Sequence, residues 1–293
     1  MAPSVPDKLA QEIDSLGNPD FVALLYRIIF GRPVDDGGLA VHTHFLEKHD
    51  RLELLSNLLA STEFRMLRKS FFHVLHECRM AWVGTLPSAA RILDIGGSSP
   101  SMAEGALIEL GYRSRPSELT IYDLPPEKQY WGVPAYDQSH AHNFSWGTVN
   151  YVHGTAETIW DVDPLKGKSV DMVFMGQAIE HFYPEKLERI LQYVHTRLVK
   201  GGHFCFDTPN RLLTSIQSPD AFIDLDHKIE YEPKRLAEIV EKCGFRILGI
   251  SGICLLPHSR KSRVFDPIES YATPKISDDF DDGYCFGIVA QSI

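Results

Sequence analysis

Apolar residues at Phe21, Leu24, Leu25, Ile28 and Ile29 recur at the i, i+3, i+4, i+7, i+8 spacing of an amphipathic helix. Asn18-Pro19-Asp20 supplies its start, with Asn18 as cap and Pro19 in the first turn. Gly31-Arg32-Pro33 stops it, and the polar run Asp35-Asp36-Gly37-Gly38 reads as a turn. Further helices are expected from about Leu39 to Lys48 and from Arg51 to Leu59. Ser61-Thr62-Glu63-Phe64 restarts a helix whose apolar positions run on to about Trp82. The spacing predicts an all-helical first part.

From Arg91 the pattern changes to short apolar runs alternating with helical ones. Strands are expected at Arg91–Ile95, Leu119–Asp123, Val149–Val152, Val170–Met175, His203–Asp207, Phe245–Ser251 and Tyr284–Gln291. Helices are expected from Pro100 to Gly111, from Glu185 to Val199 and from Pro233 to Cys243, the last two stopped by glycine. This alternation implies an α/β fold, a mostly parallel sheet with helices on both faces. The expected organisation is a helical part over residues 1–84 and an α/β domain over 85–293.

Composition changes the picture little. The chain has 293 residues, 44 % of them hydrophobic and 23 % charged, which is ordinary globular usage. Lys+Arg 29 against Asp+Glu 39 gives a net charge of −10, and no dense Lys/Arg cluster stands out. A nucleic-acid partner is therefore not expected, since phosphate neutralisation needs clustered cations. No apolar run approaches the ~20 residues needed to span a bilayer, and the N-terminus lacks a secretory pattern. Five scattered cysteines without CxxC spacing fit reduced thiols. A cytoplasmic protein without integral membrane contact is the expectation.

The chemistry should lie beyond the carboxyl ends of the strands. The first strand ends Asp94-Ile95 before the glycine pair Gly96-Gly97, which lets backbone approach a ligand closely. The second ends in Asp123, placed for a bidentate grip on a ribose diol. These two features alone do not separate a nicotinamide dinucleotide from an adenosyl cofactor.

Six segments in order, ILDIGGSS, TIYDL, VHGTAE, DMVFMGQAIEHF, LVKGGHFCFDTPNR and DHKIEYEPKRLAEIVEKCGF, together resemble class I S-adenosylmethionine-dependent methyltransferases. The branch resembled includes the ubiquinone-biosynthesis O-methyltransferases, and the likeness covers about residues 85–293. It implies a Rossmann-like, seven-stranded sheet whose last strand, YCFGIVAQ, is antiparallel. It implies S-adenosyl-L-methionine as cofactor and S-adenosyl-L-homocysteine as product. Asp94, Gly96, Gly97 and Ser98 would then form the turn against the methionine part, and Asp123 would bind the ribose hydroxyls. Leu124, Thr155 and Ala156 would line the adenine, and Gln177 would begin the segment over the methionine end. Thr155 stands where Asp is common, and Ser98 and Pro100 stand where glycine is common. Separately, FVALLYRIIFGRPVDDGG and LLASTEF resemble a phycobilisome-linker-like helical module of uncharacterised function found in bacterial surface-polysaccharide proteins. That likeness covers about residues 15–68 and reads first as an assembly module.

Methyl transfer to a hydroxyl needs a base, and histidine is the natural one near neutral pH. His181, after Glu180, is the first candidate and His227 the second; Glu180 is expected to border the acceptor. No ligand set with a defined spacing marks a metal, so none is expected, although Glu180, His181, Asp207 and His227 stand where they could converge. The insertion Pro125–Gly147 is rich in rings, and Tyr130, Trp131 and Trp146 are candidate acceptor contacts. The expected function is O-methylation of a sugar or glycan precursor, for which the glycan rests on the N-terminal likeness alone. The alternatives are N- or O-methylation of a small phenolic or polyketide metabolite, and a non-catalytic assembly protein built on the same fold. The expected partner is a small-molecule or glycan acceptor, and a homodimer is left open.

Overall fold

In a computed structural model of the chain, residues 13, 15–30, 32–61, 63–64, 70–129 and 132–293 are described. They fall into two compact units, Met1–Ser70 and Phe71–Ile293. No helix among the described residues is long and apolar enough to cross a membrane.

The first unit holds helices α1 (Asn18–Phe30), α2 (Asp36–Phe45) and α3 (Arg51–Ala60). Phe21, Val22, Leu25, Tyr26, Phe30, Leu54 and Leu58 form its core; the buried face of α1 is rotated from the expected stripe, which Phe21 and Leu25 share, while Ile28 is 69 % exposed. Asp36-Gly37-Gly38, expected as a turn, is instead the first turn of α2. The Asp35 carboxylate accepts the Gly38 N–H at 2.8 Å and caps the helix there. Asp50 caps α3 in the same way through Glu53 N–H, at 2.7 Å.

The second unit opens with helix α4 (Phe71–Val83), so the boundary expected after residue 84 falls instead after Ser70. The reason is burial. Val74, Leu75, Cys78, Trp82 and Val83 join the hydrophobic cluster that covers one face of the sheet. A Cβ at Gly287 would come within 2.2 Å of the Trp82 indole, so the helix packs directly on the sheet backbone.

The sheet has nine strands: β1 (Arg91–Ile95), β2 (Glu118–Asp123), β3 (His142–Phe144), β4 (Gly147–His153), β5 (Val170–Gly176), β6 (Leu198–Pro209), β7 (Phe245–Leu255), β8 (Ile276–Ser277) and β9 (Gly283–Ser292). Their order is β3-β4-β2-β1-β5-β6-β9-β7-β8. The seven inner strands are those the sequence predicts, and β9 lies antiparallel between β6 and β7. The count of seven is corrected to nine by two short edge strands, β3 and β8, each paired antiparallel. From β4 to β6 the pairing is parallel, so the carboxyl ends of β1, β2, β5 and β6 meet along one edge.

Helices α7 (Pro184–Arg197) and α9 (Pro233–Lys242) bury Leu187, Ile190, Leu191, Val194, Leu236 and Val240 against the sheet. Between them in sequence lies α8 (Arg211–Gln217), and a short α6 (Ile159–Val162) precedes β5. The helix expected from Pro100 to Gly111 shrinks to α5 (Ala106–Glu109). The Ser99 hydroxyl accepts the N–H groups of Ser101 and Met102, at 3.1 and 3.0 Å, and holds the chain in a turn. Gly105, at φ +85°, then brings Ala106 N–H onto the Gly97 carbonyl at 2.8 Å.

Candidate active site

The glycine turn is shaped by contact with the acid before it. Gly97 packs on the Asp94 carboxyl group so closely that a Cβ would lie 2.1 Å from the carboxyl carbon. Gly96, at φ +78°, faces Ala178, which a Cβ would meet at 3.3 Å. Asp94 is fully buried, and neither carboxylate oxygen has a hydrogen-bond partner. Burial, reinforced by the Asp123 charge, pushes its acid up to about 8.

Asp123 closes β2 beside this turn. Its carboxylate accepts the Ser98 N–H at 2.9 Å and the Leu124 N–H at 2.7 Å, which fixes its orientation and leaves lone pairs free. The Leu124 side chain is 40 % exposed next to it. Thr155 caps the 3₁₀ turn Ala156–Thr158, and its carbonyl accepts the Tyr122 hydroxyl at 3.0 Å. Ala156 is half-buried on the core. The first five of the nine expected cofactor residues, Asp94, Gly96, Gly97, Ser98 and Asp123, thus stand together at one strand edge.

Gln177 has an unusual setting. It adopts φ +53°, its N–H donates to the Asp207 carbonyl at 2.9 Å, and its side chain donates to the Asp207 carboxylate at 2.8 Å. Asp207 is fully buried and also paired with Arg79, Nε to Oδ2 at 2.6 Å. The Gln177 amide nitrogen is therefore committed to the fold. Sequence reasoning missed Arg79, and nothing local marks it: its partner lies 128 positions away.

After β5 the 3₁₀ turn Ile179–His181 carries Glu180 and His181. The loop after α8 brings His227 to them, because the Glu180 carbonyl accepts Lys228 N–H at 2.8 Å and Ile229 N–H at 3.2 Å. The two imidazoles meet edge to face, with centroids 4.9 Å apart. One ligand-capable atom from each of Glu180, His181 and His227 lies within 4.8 Å of the others. Asp207, named with them from sequence, is not in this group; Arg79 and Gln177 hold it.

Glu180, expected to border the acceptor, is instead fully buried beneath the histidines. Its Oε2 accepts the Thr208 hydroxyl at 2.9 Å, while Oε1 has no partner. Burial pushes its acid up to about 7 against the pull of His227. His181 is lowered by burial and by the neighbouring His227 charge. For His227 burial would do the same, but the bond to Glu230 and the charges of Glu180, Glu230 and Asp224 outweigh it and raise it. Glu230, a second missed residue, holds His227 Nδ1 at 2.9 Å. It is itself fixed by the Thr214 hydroxyl, the Ile223 N–H at 2.8 Å and Arg211. The three-residue step from His227 to Glu230 is the only local sequence signal it had.

Of the three expected ring contacts, Tyr130 and Trp131 lie outside the described residues. Trp146 sits at the wrong end of the sheet. It precedes β4, whose Thr148 pairs with Glu118 at the start of β2, whereas His153 pairs with Asp123 at the end. At about 3.3 Å per residue the five steps from Thr148 to His153 alone put roughly 16 Å between it and the acid edge. Trp146 stacks instead on Phe144, centroids 5.2 Å apart, beneath Arg115. Two other described residues of the insertion reach the glycine turn: Gln129 donates to Ser98 Oγ at 3.1 Å, and the Tyr136 hydroxyl to the Ser99 carbonyl at 2.7 Å. A surface cleft of about 580 Å³ lies elsewhere, between α7 and α9; it contains none of the cofactor residues but shares Arg211 and Glu230 with the histidine cluster.

Residues 109–206 match a family described as a methyltransferase domain. That span holds Asp123, Glu180 and His181 and leaves out the Asp94–Gly97 turn and His227. No curated protein sequence matches the chain. Among solved structures, the chain is similar to the methyltransferase in a Haloferax volcanii complex with the Trm112 activator. The identity is 14 %, the TM-score 0.51, and 78 % of this chain and 93 % of that one are covered. It is also similar to an S-adenosylmethionine-dependent methyltransferase from Archaeoglobus fulgidus, with 19 % identity, TM-score 0.49, and 83 % and 100 % covered. A third is the N-methyltransferase NodS from Bradyrhizobium japonicum, solved with S-adenosyl-L-homocysteine, with 12 % identity, TM-score 0.46, and 82 % and 97 % covered. The matched segment is thus similar to a methyltransferase domain, and it lies on the Rossmann-like α/β sheet described above.

Proposed function

We propose that the chain methylates a hydroxyl group on a sugar or glycan-precursor acceptor. The observation that carries this reading is the position of the His181–His227 pair, one strand end along from the Asp94–Gly97 turn and two from Asp123.

The site fits the cofactor on two counts. An orphaned, buried Asp94 carboxyl and Asp123 together favour a cationic ligand, and Gly97, which packs on Asp94 with no room for a side chain, keeps the turn bare backbone. Asp123 would hold the ribose hydroxyls, the exposed Leu124 would flank the adenine with Thr155 and Ala156, and Gly96, Gly97 and Ser98 would hold the methionine part. When bound, S-adenosyl-L-methionine supplies a methyl group on a sulfonium centre whose leaving group is neutral. The protein's own task is then to position the acceptor and remove its proton. His181, kept neutral by burial, takes the proton from the acceptor oxygen. His227, drawn toward its charged form by Glu230, steadies the developing alkoxide. Phe222 and Leu225 stand exposed on the loop that carries His227 and offer apolar contact to the acceptor.

The likeness of residues 15–68 to modules of surface-polysaccharide proteins supports a glycan acceptor over a phenolic one. Transfer of labelled methyl from S-adenosyl-L-methionine to nucleotide-sugar and glycan pools tests the reading. Labelled sugar is expected, with His181→Ala lowering kcat by about 10²-fold or more, the usual worth of a general base. Label appearing only in nitrogen or phenolic acceptors would refute the sugar assignment. No transfer to any acceptor by a protein that binds the cofactor would favour a scaffold.

A further inference from the structure

We propose that Glu180, His181 and His227 form a binding site for one divalent transition-metal ion. Three observations meet there. First, ligand-capable atoms of the three residues already lie within 4.8 Å of one another. Metal–nitrogen and metal–oxygen bonds of about 2.1 Å allow ligand atoms up to about 4 Å apart, so small side-chain rotations close the set.

Second, Glu180 is fully buried, its Oε2 is satisfied by Thr208, and its Oε1 has no partner at all. A buried unsatisfied carboxylate oxygen is costly and calls for a cause. A cation between it and the imidazoles is one.

Third, the outer contacts are those of a ligand set. Glu230, with its side chain fully buried, engages Nδ1 of His227 and leaves Nε2 as the free ring nitrogen. A carboxylate behind a histidine in this way fixes the tautomer and ring direction of a metal ligand. Glu230 is immobilised in turn by Thr214, Ile223 and Arg211. The backbone of Glu180 is tied to the His227 loop through Lys228 and Ile229, so ligands from two distant segments are held in one frame.

Two imidazoles and one carboxylate suit zinc, manganese, iron or cobalt ions rather than magnesium or calcium, which prefer all-oxygen shells. Three protein ligands leave coordination positions open. The inference deepens the proposed function and, for its consequence, rests on it. An open position would take the acceptor hydroxyl and raise its acidity; with the ion bound, His181 acts through it as a ligand, and the deprotonation assigned to His181 above is shared with the ion, the proton leaving to solvent.

The test is titration of the chelator-treated full-length protein with Mn²⁺, followed by electron paramagnetic resonance, and with Zn²⁺ and Mg²⁺ by calorimetry. S-adenosyl-L-homocysteine binding is measured on the same samples. One Mn²⁺ or Zn²⁺ per chain is expected, bound tighter than Mg²⁺. Glu180→Gln and His227→Asn should each abolish it, and Glu230→Gln should weaken it by about 10–100-fold, the usual worth of an outer contact. Cofactor-product binding should persist in all three variants, which shows that they are folded. No stoichiometric ion in a protein that binds S-adenosyl-L-homocysteine, or ion binding undiminished in Glu180→Gln and His227→Asn, would overturn the site. Ion binding lost in those variants while wild type fails to bind S-adenosyl-L-homocysteine would uphold the site and defeat the cofactor reading instead.

Discussion

Asp94 carries a carboxyl group fully buried beside a second acid, with its ionisation pushed up to about 8. In the unfolded chain the same group ionises near 4. Between those values the folded state holds its proton more firmly, so stability falls as pH rises and the loss levels off above about 8. Asp94→Asn should therefore raise Tm at pH 8 in the absence of ligand. The converse holds for a cationic ligand, which favours the ionised acid. S-adenosyl-L-methionine should bind more tightly as pH rises from 6 to about 8, by several-fold per unit, and Asp94→Asn should remove that slope. Calorimetry across pH checks both; a flat profile in wild type would count against Asp94 as the cofactor's counter-charge. Asp94, Gly96, Gly97 and Asp123 were legible in the sequence because acid-then-glycine at a strand end is a local signal. Arg79 and Glu230 were not, because each acts through a tertiary pair. Trp146 was misplaced because ring content says nothing of which end of a strand a residue occupies.

Helix α4 shows how an element can be found and still be assigned to the wrong body. Its apolar positions were read as the end of a longer helix restarting at Ser61, and apolar positions alone do not state what a helix packs on. In the fold it buries Trp82 over Gly287 and places Arg79 against Asp207 and Gln177 beneath the active-site edge. Arg79→Met would leave the Asp207 carboxylate buried with Gln177 alone. Removing one partner of a buried pair of this kind costs about 3–5 kcal/mol. Urea denaturation should show that loss, and the Gln177 segment should bind the cofactor product more weakly; an unchanged midpoint would mean the pair is not needed. The inner strands were legible as apolar runs of four to eight residues. The edge strands β3 and β8 were not, having three and two residues and no alternation to read. The long helix expected after Pro100 failed because Ser99 and Gly105 favour a turn that local periodicity does not reveal.

Across the whole molecule, the division at Ser70 carries a direct consequence. A chain beginning at Phe71 retains α4 and its buried face, whereas one beginning at residue 85 exposes the sheet face that Trp82 and Val83 cover. The first should be soluble, fold cooperatively and bind S-adenosyl-L-homocysteine, and the second should aggregate. Thermal melting and size-exclusion chromatography of the two truncations decide this, and a well-behaved chain from residue 85 would restore the boundary read from sequence. The net charge of −10 is in keeping with a cleft built around Asp94 and Asp123 for a cationic cofactor. It carries no information on a neutral acceptor.

The central claim, that the Asp94–Gly97 turn and Asp123 hold an adenosyl cofactor, is tested most directly by calorimetric titration of S-adenosyl-L-homocysteine into wild type and Asp123→Ala. One site per chain with micromolar affinity is expected in wild type, weakened by about 10-fold or more in the variant, as for loss of charge-assisted bonds to two hydroxyls. No binding to wild type at millimolar ligand, or equal binding by both proteins, would contradict the account.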